Sequence, residues 1–213
     1  MLIFSAVVKL FVDSADPAEI AACVAAKGTR GVTTSAALVA EAAGRAGRAP
    51  ADLLRAIAGA ANGPVYVAVT AGDRDGMLRE VREWAGTSDG VVATLPGTEA
   101  GIEVVRACAG ERIRTGVGPC ASAALALAAA RAGAVTVASP VGRAGGVDGY
   151  DVIRKLAALF RTYEVRTEVV ASEIRIPTDL IDAALAGAQA ATAPGAVVRQ
   201  LDAESSRIAD GGG

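Results

Sequence analysis

Histidine is missing from all 213 residues. Its absence excludes Ser-His-Asp and Cys-His nucleophilic systems and removes the commonest metal ligand. Cysteine is scarce: Cys23, Cys108 and Cys120 are odd in number and show no CxxC spacing, which argues against a zinc site or a disulfide framework. No metal and no cofactor are expected. Lysine occurs only as Lys9, Lys27 and Lys155. Aromatics make up 3% of the chain against 52% hydrophobic residues, so the core must come from Ala, Val, Leu and Ile. Neither sign of charge dominates: 21 basic and 23 acidic residues are interspersed and sum to −2. That balance excludes nucleic acid or an anionic membrane as the main partner. No apolar run is long enough to span a bilayer. Residues 1–8 are apolar but lack a basic n-region and a cleavage site, so they read as an extension of the first strand and not as a signal peptide. A cytoplasmic location is expected.

What the chain does contain is a regular alternation. Strand-like segments at 9–13, 31–34, 65–69, 89–97 (apolar run 91–93), 112–117, 134–138, 168–171 and 190–193 are each followed by a helical pattern. In the fourth, Val91 to Ala93 is too short for a helix, and turn-formers close it on both sides; it reads as a buried parallel strand. Asp16-Pro17 opens the first helix with a cap and a first-turn proline. Helices are expected over 36–48, 50–61, 73–84, 98–108, 121–132, 151–163, 177–187 and 196–208, and residues 142–149 read as a glycine-rich loop. The eighth strand, Ala190-Ala191-Thr192-Ala193, has little more than its position to support it.

Eight strand–helix units with no linker predict a single-domain α/β fold, a (β/α)8 TIM barrel over 1–208 with a short flexible tail at 209–213. A doubly wound sheet is the runner-up, but the junction after strand 1 reads Asp13-Ser14-Ala15-Asp16-Pro17, without the glycine fingerprint of a dinucleotide fold. In a barrel the chemistry sits at the carboxyl tips of the strands. Thr94 should occupy the tip of strand 4.

Several strand ends carry a resemblance. Leu10-Phe11-Val12-Asp13-Ser14-Ala15-Asp16, Gly31-Val32-Thr33-Thr34, Val91-Val92 with Leu95-Pro96 and Thr98-Glu99-Ala100-Gly101, and Ser139-Pro140-Val141-Gly142-Arg143 resemble the transaldolase family, in its group of small transaldolases and fructose-6-phosphate aldolases. The motifs fall in order along almost the whole chain. The resemblance implies a strand-4 lysine that attacks a ketose carbonyl and forms a Schiff base, whose imine is the electron sink for carbon–carbon cleavage. The family pattern is Val-Val-Lys-Val-Pro; this chain reads Val92-Ala93-Thr94-Leu95-Pro96, so Thr94 stands in the lysine's place. A hydroxyl cannot form an imine. Lys9 starts strand 1 at the far end of the barrel, Lys27 ends the first helix, and Lys155 lies on an outer helix; none is a substitute.

Other departures agree. The family's asparagine after Thr-Thr is absent from Thr33-Thr34-Ser35-Ala36; the strand 3 glutamine is replaced by Ala68; a strand 5 hydroxyl falls at Gly118; and the strand 6 aromatic gives way to Pro140 and Val141. Two positions match. Asp13 fits the aspartate that the family uses in proton transfer, its bland alternative being a helix cap or ion-pair partner. Arg143 fits the arginine that grips substrate phosphate through its planar fork, its alternative being a surface arginine. On strand 7 the family's phosphate-holding serine aligns with Glu173, and Arg175 follows; a carboxylate there must be paired or the ligand is no phosphate ester. Asp13 and Glu173 are also candidates for an acid/base pair, or for a structural ion pair closing an emptied site. Cys120 reads as a buried helix-start thiol, with no His or Lys nearby to activate it.

Three functions stay open on this basis. One is a diverged enzyme of isomerase, lyase or cyclase type acting on a small sugar, sugar phosphate or carbonyl compound, with Asp13, Glu173 and Thr94 as catalytic candidates and Thr34, Ser35, Arg143 and Arg175 as binding candidates. Another is a non-catalytic ligand-binding or scaffold protein. The third is residual aldolase or transaldolase activity by another route. The resemblance also implies a homo-oligomer, assembled through the last helix, whose apolar stripe is Val197, Val198, Leu201 and Ile208; packing on the barrel is the simpler use of that stripe.

Overall fold

Eight parallel strands close on themselves, each beside the next in sequence and the last beside the first. The computed structural model describes residues 8–26, 29–144 and 147–210, with the backbone alone for 143–144 and 205–210. Lys27 and residues 1–7 and 211–213 lie outside the described residues, so the expected strand extension is described only at Val8. The strands are β1 Lys9–Asp13, β2 Thr29–Ser35, β3 Val65–Ala68, β4 Val91–Leu95, β5 Thr115–Val117, β6 Thr136–Pro140, β7 Glu168–Ser172 and β8 Ala190–Pro194. The helices are α1 Pro17–Ala25, α2 Ala36–Ala46, α3 Pro50–Ala60, α4 Arg74–Ala85, α5 Glu99–Gly110, α6 Ala123–Ala132, α7 Gly149–Thr162, α8 Pro177–Ala186 and α9 Gly195–Asp210. This is the expected (β/α)8 barrel. The pairing of β1 with β8 closes the sheet and excludes an open, doubly wound arrangement.

Short polar side chains set where the helices begin. Asp16, Ser35, Asp73, Thr98, Ser122 and Asp148 each accept a backbone N–H of the helix they precede, satisfying donors the helix itself leaves unpaired. Pro17, Pro50 and Pro177 occupy first-turn positions where no N–H is needed. Because the helices follow the strand tips, these caps also fix the rim of the barrel mouth.

Outward strand residues such as Val12, Val32, Val67, Val117 and Val169 are fully buried against the helices. The interdigitating helix residues are of similar size, among them Ile20, Val39, Ile57, Val104, Ile153 and Leu156. A separate cluster fills the barrel axis: Phe11, Val170 and Ala190, packed with Tyr66 and Ala138. In α9, Val197, Val198 and Leu201 are buried, and the helix packs on α1, β1 and β8. The described part of the stripe is therefore spent on the barrel.

Local differences from the expected boundaries have local causes. Strand 5 starts at Thr115 instead of 112, because α5 runs on to Gly110 and Arg112 turns the chain at φ 60°. Strand 6 is shifted to Thr136–Pro140, following a left-handed glycine cap at Gly133 that ends α6. The expected loop at 142–149 contains a short antiparallel ribbon, Arg143–Ala144 with Val147–Asp148. The last helix continues to Asp210, past the expected end at 208.

Gly101 shows how tightly the mouth is built. A Cβ there would meet the Pro96 carbonyl oxygen at 2.1 Å, so α5 sits directly against the turn that ends β4. Gly101→Ala should lower stability in urea unfolding by roughly 1–3 kcal/mol, the usual effect of overpacking. Gly110→Ala at the end of the same helix, where nothing lies within 4 Å, should be neutral or slightly stabilising.

Candidate active site

A cavity of about 530 Å³ opens at the carboxyl ends of the strands. Its floor is the Phe11–Tyr66 pair, with ring centroids 5.4 Å apart and planes tilted by 37°. Its walls carry hydroxyls and carboxylates from several different strands. Of the sequence candidates, Asp13, Thr34, Thr94, Glu173 and Arg175 all line it.

Ser35 serves the helix that follows. It does not line the cavity; its Oγ accepts the Leu38 N–H at 3.1 Å and caps α2. The family's asparagine position has here become a helix cap, a role that serine fills well. The side chain of Arg143 is outside the described residues, and its backbone forms the ribbon after β6.

Asp13 ends β1 beside Thr33. Thr33 Oγ1 donates to Asp13 Oδ1 at 3.3 Å and is in hydrogen-bond contact with Thr192 Oγ1 on β8. A hydroxyl has one proton to give, so with Asp13 ionised the order is Thr192 to Thr33 to Asp13. The Asp13 side chain reaches water in the mouth, yet barrel atoms crowd it. Burial pushes its pKa up, and the Thr33 hydrogen bond opposes the shift.

Thr94 lies at the tip of β4, in register with Ala68 on β3 and Gly116 on β5. Gly116 clears the space beside it: a Cβ there would meet Thr136 Oγ1 at 2.5 Å and Thr94 Oγ1 at 3.4 Å. Tyr66 is held neutral, its pKa pushed up to about 12, mainly by burial and then by the Glu168 carboxylate below it. Thr34 Oγ1 is buried without a hydrogen-bond partner among the described residues, a condition that water or a ligand group would relieve.

Glu173 follows β7 at φ 62°, in the left-handed region, where a side chain adds roughly 1–2 kcal/mol of strain. Arg175 Nη2 reaches its Oε2 at 3.4 Å, and both groups remain exposed. Asp179 fixes the loop from behind, accepting the Arg175 and Ile176 backbone N–H groups at 2.8 and 3.2 Å and the Tyr150 hydroxyl at 3.3 Å. Backbone position is thus set while the Glu173 and Arg175 side chains stay at the rim. Among the described residues, the ion-pair partner of Glu173 is Arg175.

The lysines fall elsewhere. Lys9 lines a different cavity, at the amino end of the barrel, and pairs with Glu168. Lys155 lies on α7 and pairs with Asp151 at 2.6 Å on the outer surface. Cys120 is fully buried, and burial pushes its thiol pKa up to about 11. Residues that the sequence reading missed are Phe11, Tyr66, Thr33, Thr136, Thr192 and Ser172. Counting back two residues from each tip would have found most of them, since alternate strand residues face the axis.

A (β/α)8 barrel with a hydroxyl- and carboxylate-lined mouth is therefore the class of protein this is. The family model described as "Transaldolase/Fructose-6-phosphate aldolase" matches residues 10–210. A "Probable transaldolase" of Anaeromyxobacter sp. (strain Fw109-5) is 39% identical over 195 residues, covering 91% of this chain and 89% of that protein. Similar relatives, both also "Probable transaldolase", are found in Roseiflexus sp. (strain RS-1), at 39% over 194 residues with 90% and 88% coverage, and in Rhodospirillum centenum (strain ATCC 51521 / SW), at 41% over 196 residues with 91% and 83% coverage. The chain belongs to the transaldolase/fructose-6-phosphate aldolase family.

The raised pKa of Asp13 has a consequence for stability. The folded state holds that proton to higher pH than the unfolded chain, whose aspartates titrate near about 4. The group therefore favours folding below that pH, and the contribution is lost as pH rises through the folded pKa. Asp13→Asn should melt slightly above the wild type at about pH 7 and close to it near pH 4 or below. Melting curves of both proteins across that range check the sign; a difference independent of pH would contradict it.

Proposed function

We propose that this barrel works without an imine, as an acid–base enzyme of isomerase, lyase or cyclase type on a small sugar, sugar phosphate or carbonyl compound. The carrying observation is Thr94 at the strand-4 tip inside a mouth lined by no lysine among the described residues. The relatives' names point to transaldolase turnover, and in this family that reaction runs through a lysine imine. Support for a different reaction comes from the groups that remain.

Asp13 is the base. A carboxylate whose pKa is raised by burial is a better proton acceptor than an ordinary one. It takes the proton from carbon next to a carbonyl, and the charge that develops on the carbonyl oxygen is met by the Thr94 hydroxyl. Thr33 and Thr192 orient the carboxylate. Asp13, now carrying that proton, returns it to the neighbouring carbon or to a leaving hydroxyl, and the Glu173 carboxylate, two strands round the rim, relays a substrate hydroxyl proton from one oxygen to the other. Arg175, and Arg143 at the ribbon, hold an anionic end of the substrate. The Phe11–Tyr66 floor receives the carbon skeleton.

The test is solvent exchange. Protein is incubated with dihydroxyacetone phosphate or fructose 6-phosphate in heavy water, and the C–H signals next to the carbonyl are followed by proton NMR. The wild type should wash those signals out, and Asp13→Asn should slow the loss by roughly 10²-fold or more, the usual contribution of a general base. Saturable binding with no exchange would reassign the chain as a ligand-binding protein without turnover. Exchange that survives in Asp13→Asn would remove the aspartate from the mechanism.

A further inference from the structure

We infer that the amino-terminal end of the barrel carries a second binding site, for a small polyanion of the diphosphate type. The Phe11 and Tyr66 rings divide the barrel axis, lining the mouth cavity on one side and a second cavity of about 520 Å³ on the other. Four cations converge on that second cavity from four places in the chain: Lys9 on β1, Arg30 on β2, Arg114 ahead of β5 and Arg166 ahead of β7. Glu168 is the one carboxylate among its lining residues, and Lys9 pairs with it. Four positive groups against one negative leave three net positive charges in a chain whose formal net charge is −2.

A rim built only to hold the barrel together would pair its cations. Here the pairing stops short. Arg114 Nη2 donates to the Asp89 carbonyl oxygen at 2.6 Å, which positions the guanidinium without neutralising it. Arg30 and Arg166 make no ion pair among the described residues. Residues 1–7, which precede this end of β1 in sequence, contain no charged side chain. Like charges gathered round one hollow repel one another and raise the local concentration of anions there.

The chemistry of the rim selects the ligand. Guanidinium forks bind phosphate oxygens in pairs. Three arginines spread round one hollow match two linked phosphate groups better than one. Pro64, Tyr66 and Val135 provide apolar lining for an organic substituent on that diphosphate. The site is separate from the mouth, so it does not depend on the reaction proposed there.

Isothermal titration of the full chain with inorganic pyrophosphate, and separately with orthophosphate, tests this. Saturable binding near one per chain is expected, at least about tenfold tighter for pyrophosphate and weakening as salt is raised. The double variant Arg30→Ala/Arg166→Ala should lose about tenfold or more in affinity, Arg30→Lys/Arg166→Lys should lose less, and Arg131→Ala, exposed on α6 away from both cavities, should lose nothing. Arg30 and Arg166 are exposed, and a melting curve for each variant checks that it is folded. Absence of saturable binding, equal affinity for the two anions, or binding lost in Arg175→Ala at the mouth and kept in the double variant would overturn the proposal.

Discussion

A closed parallel barrel gives each strand one inward-facing position at its carboxyl tip, and the side chain there is presented to the mouth whether or not it is useful. Everything proposed for the mouth depends on this constraint. Closure fixes the register: Ala68, Thr94 and Gly116 lie side by side on neighbouring strands. A lysine at the middle position would stand among the site's polar groups. A threonine there leaves a short hydroxyl, and no backbone adjustment supplies an amine in its place. The two lysines that are described sit on β1 at the opposite end and on the outside of α7.

The rest of the mouth is not what an idle scaffold would need. An inert barrel gains by filling its tips with apolar side chains, because unpaired polar groups and left-handed side chains are unfavourable. This one keeps a carboxylate whose burial raises its pKa. Glu173 is held in a left-handed conformation by a loop that Asp179 pins from behind. Such strain persists where the surrounding structure over-determines it, and it clusters at functional sites. Below the mouth, Phe11 and Tyr66 form a partition, so a single barrel axis serves two hollows of different character. The upper one is hydroxyl-rich and the lower one is basic.

Fold class was legible because barrel strands buried on both faces read as short apolar runs between caps and turns. Even the weak Ala190-Ala191-Thr192-Ala193 segment is a strand, identified by its place in the alternation. Boundaries were less legible where the chain turns with φ near 60° at Arg112, since only backbone geometry reveals that. At the site, tip residues such as Asp13, Thr94 and Glu173 could be placed by motif order. Ser35 could not, because serine suits a helix cap and a ligand equally well and only the fold decides. The residues one layer down, Phe11, Tyr66, Thr136 and Thr192, carry no motif; they follow from the period of two once strand direction is known. The arginines of the lower hollow are far apart in sequence, and barrel closure alone brings them together.

A barrel mouth that no amine enters cannot capture a carbonyl as an imine. The most direct measurement is the intact mass of the protein after incubation with dihydroxyacetone or fructose 6-phosphate and reduction with borohydride. The unmodified mass is expected. A stable adduct equal to the reduced substrate, mapped by peptide analysis to Lys9, Lys27 or Lys155, would contradict it.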